Sequence, residues 1–207
     1  CAGSVHFYGR AFNCWQRGGH GALTLTDAIR HSCNVYFYNI GRRLGIDRIA
    51  ESALMLGLGE KTGIDLPGEK EGLVPTVEWS RSVRKSDWYP GETISVSIGQ
   101  GPLVVTPIQI AVHTALVANR GRGVIPRLLL TSGSSQDRPA TKAAGGTPGE
   151  KIRPDCFETV IRGMWKSVNQ EGTGRGAKVD GFDVCGKTGS TQLISRERAE
   201  KLGKQIK

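Results

Sequence analysis

The sequence predicts an α+β fold in a single domain. Helix and strand signals are mixed along the 207 residues without the strand–helix–strand rhythm of a doubly wound sheet. The 29 glycines gather at turns and show no fixed period, which argues against a solenoid. At 38% hydrophobic and 23% charged, the chain has a globular composition, so a disordered or fibrous protein is excluded.

Leu23 to Leu44 reads as two helical stretches meeting near Ser32. Thr24 or Thr26 caps the first, and Ile29, Val35, Phe37, Ile40 and Leu44 recur at helical spacing. Asp47 is placed as the cap of a short helix through Ala50, Ala53 and Leu54 that ends at Gly57. Gly57 to Gly72, rich in glycine and holding Pro67, is a loop. The β-branched alternation from Thr93 to Ile98 predicts a strand entering the turn Gly99-Gln100-Gly101.

Thr106-Pro107 starts a helix, a hydroxyl cap followed by proline at the first helical position. That helix runs to Asn119 and stops before Gly121. Val124 to Leu130 predicts a strand, and the polar, glycine-rich segment 132–149 a flexible loop. Phe157, Val160, Ile161, Met164, Trp165 and Val168 mark one amphipathic helix. Phe182 to Cys185 then predicts a strand running into Lys187-Thr188-Gly189.

The net charge is +9, scattered in local knots such as Arg81, Arg84 and Lys85, without the single aromatic-laced basic face that nucleic-acid binding needs. The charge fits a basic surface facing water, an anionic wall or a membrane, and nucleic acid is not expected as a partner. The longest apolar stretch, Ile108 to Ala118, is interrupted by Gln109 and His113 and is short of the ~20 residues of a membrane span. Both ends read as internal positions of a longer protein: the chain opens on Cys1 and closes in a Lys/Arg/Glu run.

Two triplets carry the chemistry. Ser32-Cys33-Asn34 sits at the junction of two helices, and Lys187-Thr188-Gly189-Ser190 is expected on a strand 155 positions later. A serine hydroxyl and an amide at a helix corner can relay a proton and hold a peptide backbone. A lysine with a neighbouring hydroxyl can hold a carboxylate, and glycine keeps the surface flat enough for substrate to lie on it. A second Lys-Thr-Gly, at 61–63, has no strand leading into it and reads as a turn.

The five cysteines, at 1, 14, 33, 156 and 185, are an odd number. Cys1, Cys14, His20 and Cys33 follow a C-x12-C-x5-H-x12-C pattern, three thiolates and an imidazole, which is a full tetrahedral zinc shell. From the pattern alone, a disulfide between two of the three, or buried thiols beside an unrelated histidine, remain open. His6 and His31 are the nearby substitutes for Cys1. Cys156 and Cys185 are expected to be buried and structural. Gln100, in its glycine turn, is expected to shape the backbone beneath the site, and His113 to sit in the core. Trp79, Trp88 and Tyr89 are expected to form an aromatic lid.

Ser-x-Asn followed far downstream by Lys-Thr-Gly resembles the second and third active-site motifs of the serine penicillin-recognising enzymes. The connecting runs Gly63-Ile64-Asp65-Leu66-Pro67-Gly68-Glu69, Ser97-Ile98-Gly99-Gln100-Gly101, Thr106-Pro107-Ile108-Gln109 and Gly172-Thr173-Gly174 look like class B penicillin-binding proteins. Gly19-His20-Gly21 and Asn34-Val35-Tyr36-Phe37-Tyr38 are most similar to the elongation-type group, penicillin-binding protein 2.

The resemblance implies part of a transpeptidase domain, an antiparallel sheet with helices on both faces. It implies a peptidoglycan D,D-transpeptidase that cross-links stem peptides through a serine acyl-enzyme and is inhibited by β-lactams. It implies a place at the periplasmic face of the bacterial inner membrane, held by an upstream anchor, beside a membrane glycosyltransferase and elongation-complex proteins. The roles carried over are proton relay for Ser32, backbone binding for Asn34, and carboxylate binding for Lys187 and Thr188. Gly189 is the flat position, and Thr191 is the backbone N–H donor to the oxyanion. No cofactor is needed for the reaction.

The family's nucleophile lies in a Ser-x-x-Lys ahead of Ser-x-Asn. Ser82-Val83-Arg84-Lys85 has the letters in the wrong place, so the nucleophile is expected upstream and this stretch alone to be inactive. Some relatives hold a zinc through the middle residue of Ser-x-Asn, here Cys33, which favours a structural zinc on Cys1, Cys14, His20 and Cys33 within residues 1–33. The alternatives are a non-catalytic β-lactam sensor domain and the division-specific class B transpeptidase.

Overall fold

The computed structural model describes residues 1–128, 149 and 151–190. Thr191 and nearly all of the predicted 132–149 loop lie outside them. The chain opens with a hairpin of β1 (Ser4–Phe7) and β2 (Arg10–Asn13), antiparallel and in the register Ser4↔Asn13 to Phe7↔Arg10. Its two-residue turn has positive φ at both Tyr8 (51°) and Gly9 (73°), as the hairpin twist requires.

The helices follow: α1 (Leu25–Arg30), α2 (Asn34–Leu44), α3 (Ile46–Met55), α4 (Val77–Ser82), α5 (Pro90–Val96), α6 (Pro107–Ala118) and α7 (Pro154–Asn169). Thr24 caps α1 and Thr106 caps α6, each hydroxyl accepting from a backbone N–H three residues on. Helices with one small antiparallel sheet agree with the expected α+β class.

Two helix contacts position the site. α1 packs on α7, and Gly163 makes this close: a Cβ there would lie 2.8 Å from Ile29 Cβ. Lys166 on α7 donates to Asp27 at 2.8 Å and to Thr26 at 3.2 Å, which holds the interface from its polar edge. α2 packs on α5 over Gly41, whose missing Cβ would meet Ser97 Cβ at 2.3 Å. Phe7, Cys14, Ala28, Cys33, Val35, Tyr38 and Ile94 form the core cluster between hairpin and helices.

Several expected elements differ. Thr93 to Ile98 is not a strand: residues 93–96 are helical in α5. Pro90 opens that helix and the Glu92 carboxylate accepts from the Tyr89 N–H at 3.2 Å. Its β-branched Thr93, Ile94 and Val96 are buried, so tertiary packing overrides their strand preference.

Asp47 lies inside the first turn of α3 and accepts from the Val77 N–H at 3.1 Å, while Gly45 stands at the cap. The described part of the predicted 124–130 strand, residues 124–128, and the segment 182–185 belong to no strand. A strand needs a hydrogen-bonded partner, and among the described residues neither has one. Residues 182–186 are tied to α7 instead, through Asn169 Nδ2 to Val184 O (2.8 Å) and Gly186 N to Met164 O (3.2 Å).

The second Lys-Thr-Gly belongs to no strand, and the N–H groups of Thr62 and Gly63 and the Thr62 hydroxyl all donate to Glu69. Cys156 and Cys185 are exposed rather than buried, since no described element covers their faces.

Candidate active site

Ser32 occupies the corner between α1 and α2 with φ at +49°, the left-handed region that costs a non-glycine residue roughly 1–2 kcal/mol. The corner is held from three directions. Ser32 N donates to Ile29 O at 3.1 Å, Cys33 N to Ala28 O at 3.0 Å, and Thr173 N to Arg30 O at 3.1 Å. Gly172 lets that last strap approach, because a Cβ there would stand 2.4 Å from Ser167 Cα and 2.8 Å from Arg30 O.

The two motifs meet. Lys187 Nζ donates to Ser32 Oγ at 2.6 Å and to its neighbour's carbonyl, Thr188 O, at 2.9 Å. Ser32 Oγ is also 2.8 Å from the Thr173 hydroxyl and 3.2 Å from that of Thr188, which are themselves 3.0 Å apart. Three hydroxyls and an ammonium thus form one network. Lys187 opens to the cleft, yet partial desolvation lowers its pKa from the ordinary lysine value.

The network floors an open cleft of about 540 Å³, lined also by Trp15, Asn34, Ile98, Gln100, Gly189 and Ser190. Asn34, the first residue of α2, reaches the same cleft and places its amide 3.4 Å from Asn13 O. Of the predicted site residues, Ser32, Asn34, Lys187, Thr188 and Gly189 therefore share one cavity. Ser82 does not line it; its hydroxyl donates to Glu78 O at 2.8 Å.

Sequence reasoning gave no cleft role to Thr173 or Trp15, and gave Gln100 a structural one. Thr173 bridges Ser32 and Thr188, and its only signal was the quoted Gly-Thr-Gly run. Gln100, expected to shape the backbone beneath the site, donates from Nε2 to Ser190 O at 2.7 Å and so fixes the segment after Gly189. Trp15 forms a wall, and nothing in its sequence context marked it.

Beside the corner, Cys1, Cys14, His20 and Cys33 converge, their ligand atoms all within 4.8 Å of one another. Cys1 Sγ and Cys14 Sγ each stand 3.5 Å from His20 Nδ1. His31 is not in this group but stacks on His20 at 5.5 Å, and His6 is exposed in β1. Burial, with His31 alongside, lowers the His20 pKa, while burial raises that of the Cys33 thiol.

The chain matches the penicillin binding protein transpeptidase domain over residues 2–206. It is 40% identical over 184 residues to the peptidoglycan D,D-transpeptidase MrdA of Acinetobacter baumannii, covering 89% of this chain and 27% of that protein. Its structure is similar to Pseudomonas aeruginosa PBP2, with a TM-score of 0.82 and 36% identity over 92% of this chain and 44% of that one. It is also similar to Helicobacter pylori PBP2 in its complex with MreC, with a TM-score of 0.81 and 30% identity over 92% of this chain and 34% of that one. The chain thus spans about a third or less of the curated relatives it matches, 27% in the first case.

Proposed function

The chain belongs to the penicillin-binding protein transpeptidase domain family, on its PBP2/MrdA side, and on that premise we propose that it supplies two of the three active-site motifs of a peptidoglycan D,D-transpeptidase. The observation that carries this reading is the 2.6 Å contact between Lys187 Nζ and Ser32 Oγ inside an open cleft.

In the proposed reaction a serine outside this chain attacks the carbonyl of the penultimate D-alanine of a stem peptide. An ester forms and the terminal D-alanine leaves as its amine. Ser32 Oγ, accepting from the Lys187 ammonium, can pass its own hydroxyl proton to that amine and recover the one lost by the attacking serine, so that Lys187 stays charged. An amine of a second stem peptide then attacks the ester, the cross-link forms and the serine is regenerated.

Lys187 and Thr188 hold the terminal carboxylate, and the C3/C4 carboxylate of a β-lactam takes its place. Asn34 holds the peptide backbone, and Gly189 leaves room for it to lie flat. The oxyanion N–H is assigned to Thr191 on the family resemblance, and Gln100 supports it by fixing Ser190 just before.

The thiol–imidazole cluster is proposed as a structural zinc site. With Zn–S near 2.3 Å and Zn–N near 2.0–2.1 Å, a tetrahedron sets N···S at about 3.6 Å. The two 3.5 Å contacts to His20 Nδ1 fit that spacing. Bound zinc would neutralise the thiolates and tie Cys33, hence the Ser32–Asn34 corner, to the preceding loop.

Among the described residues no helix is long and apolar enough to cross a membrane. An anchor elsewhere in the protein, a periplasmic location, and a glycosyltransferase and elongation-complex proteins as partners are proposed with the enzyme reading. The H. pylori relative solved with MreC supports the last of these.

The test is acyl transfer by the full-length protein from a peptide ending in D-alanyl-D-alanine, comparing wild type with Ser32→Ala. Loss of turnover on a folded variant supports the reading, and full turnover refutes it.

A further inference from the structure

Trp15 and Ile98 are the large apolar side chains lining a cleft floored by hydroxyls and an ammonium, and Trp15 is 55% exposed. An indole left open at a surface loses the free energy its burial would bring, so its exposure in a binding cleft points to an apolar group that covers it.

Its pose is held at two points. Nε1 donates to His31 O at 2.9 Å, which sets the indole within one residue of Ser32. The ring meets His20 edge-on, with centroids 5.1 Å apart. His20 in turn is packed between Cys1, Cys14 and His31. Because the indole N–H is already used, the wall has no donor left for a ligand and offers only an aromatic face.

We propose that Trp15 is a specificity-determining residue of the cleft, its indole face taking the apolar side group of the acyl donor while Lys187 and Thr188 hold the carboxylate. The inference rests on the transpeptidase reading and deepens it. A ligand with a carboxylate and an apolar acyl side group touches both the charged floor and the aromatic wall. A ligand with the carboxylate alone touches only the floor. The wall therefore sorts ligands by side group, without taking part in the acyl transfer.

The full-length protein is tested with benzylpenicillin, which carries an aromatic side group, and with 6-aminopenicillanic acid, which carries none. For each, the dissociation constant of the initial complex is separated from the first-order acylation rate. Trp15→Ala is expected to weaken benzylpenicillin binding about tenfold and 6-aminopenicillanic acid by no more than about twofold. Trp15→Phe, which keeps an aromatic face, restores benzylpenicillin to within about threefold of wild type.

Equal weakening for both compounds in Trp15→Ala, or none for either, overturns the proposal, the first by making Trp15 merely structural. Trp15→Phe provides the same comparison if the alanine variant does not fold. Absence of acylation in the wild type by either compound is a different failure, since it removes the transpeptidase reading itself.

Discussion

Lys187 Nζ stands 2.6 Å from Ser32 Oγ, although 155 positions separate the two residues. The contact joins a helix corner to an extended segment tied to α7, so the site depends on how α1 and α7 are held together. The predictions follow that dependence outward from the cleft.

Replacing Lys187 with Ala removes the ammonium that donates to Ser32 Oγ and that is proposed to hold the carboxylate. Acylation of the full-length protein by a labelled penicillin is expected to slow by more than about a hundredfold. The circular dichroism spectrum stays that of the wild type. Retained acylation in the variant would mean that the lysine is not part of the site.

Desolvation lowers the Lys187 pKa, so carboxylate binding is expected to weaken on the alkaline side at a pH below the ordinary lysine value of 10.5. The sign for stability is opposite to that of a paired lysine. Between its folded and unfolded pKa values the unfolded chain binds more protons, so this group favours the fold increasingly as pH rises through that window. Lys187→Arg, charged throughout, moves the alkaline limb of ligand affinity to higher pH. An affinity profile identical in the two proteins would remove the assignment.

Asp27 has its pKa held at about 2, below the usual 3.8, chiefly by its hydrogen bond from Lys166 and next by that from Thr24. A depressed carboxylate pKa stabilises the fold above the unfolded value and loses that contribution as pH falls through the folded one. Asp27→Asn is expected to cost about 1 kcal/mol at pH 7, after allowance for solvent screening. The gap in Tm between variant and wild type closes as pH drops from 4 towards 2. A gap that persists unchanged at low pH would place the ion pair outside the stability of the α1–α7 contact.

Gly172 offers a backbone test. Alanine there would drive a Cβ to 2.4 Å from the Ser167 backbone, and the strap from Thr173 to Arg30 would have to shift. Gly172→Ala is expected to lower Tm by more than about 5 °C, whereas Gly176→Ala, with open space around it, changes it little. Equal effects would show that the strap does not need its glycine.

Much of this site was legible in the sequence because its signals were local. The Ser-x-Asn corner fell at a helix junction, marked by Thr24 before the first helix and the apolar spacing through Leu44 after it. The thiol–imidazole set could be named from residue types alone. What stayed hidden depended on tertiary contacts. The Thr93–Ile98 alternation imitated a strand because α5 buries its β-branched residues against α2, a contact no local pattern records. The β1–β2 hairpin turns on Tyr8-Gly9, not on the Asn-Gly or Asp-Gly pair that usually signals such a turn. Thr173, Gln100 and Trp15 are tied into the cleft by bonds to residues far away in sequence, Ser32 and Thr188, Ser190, and His31.

Zinc analysis of the purified full-length protein checks the cluster. One zinc per chain is expected, lost in Cys14→Ser together with several degrees of Tm. Metal-free protein with a disulfide among Cys1, Cys14 and Cys33 would replace the metal reading with a covalent one.

The measurement that tests the central claim most directly is to label the full-length protein with a penicillin and map the acylated peptide by mass spectrometry, in wild type and in Lys187→Ala. The account predicts label on a serine outside residues 1–207, lost or greatly slowed in the variant. Label on Ser32 itself, or none on any serine of a folded protein, would contradict it.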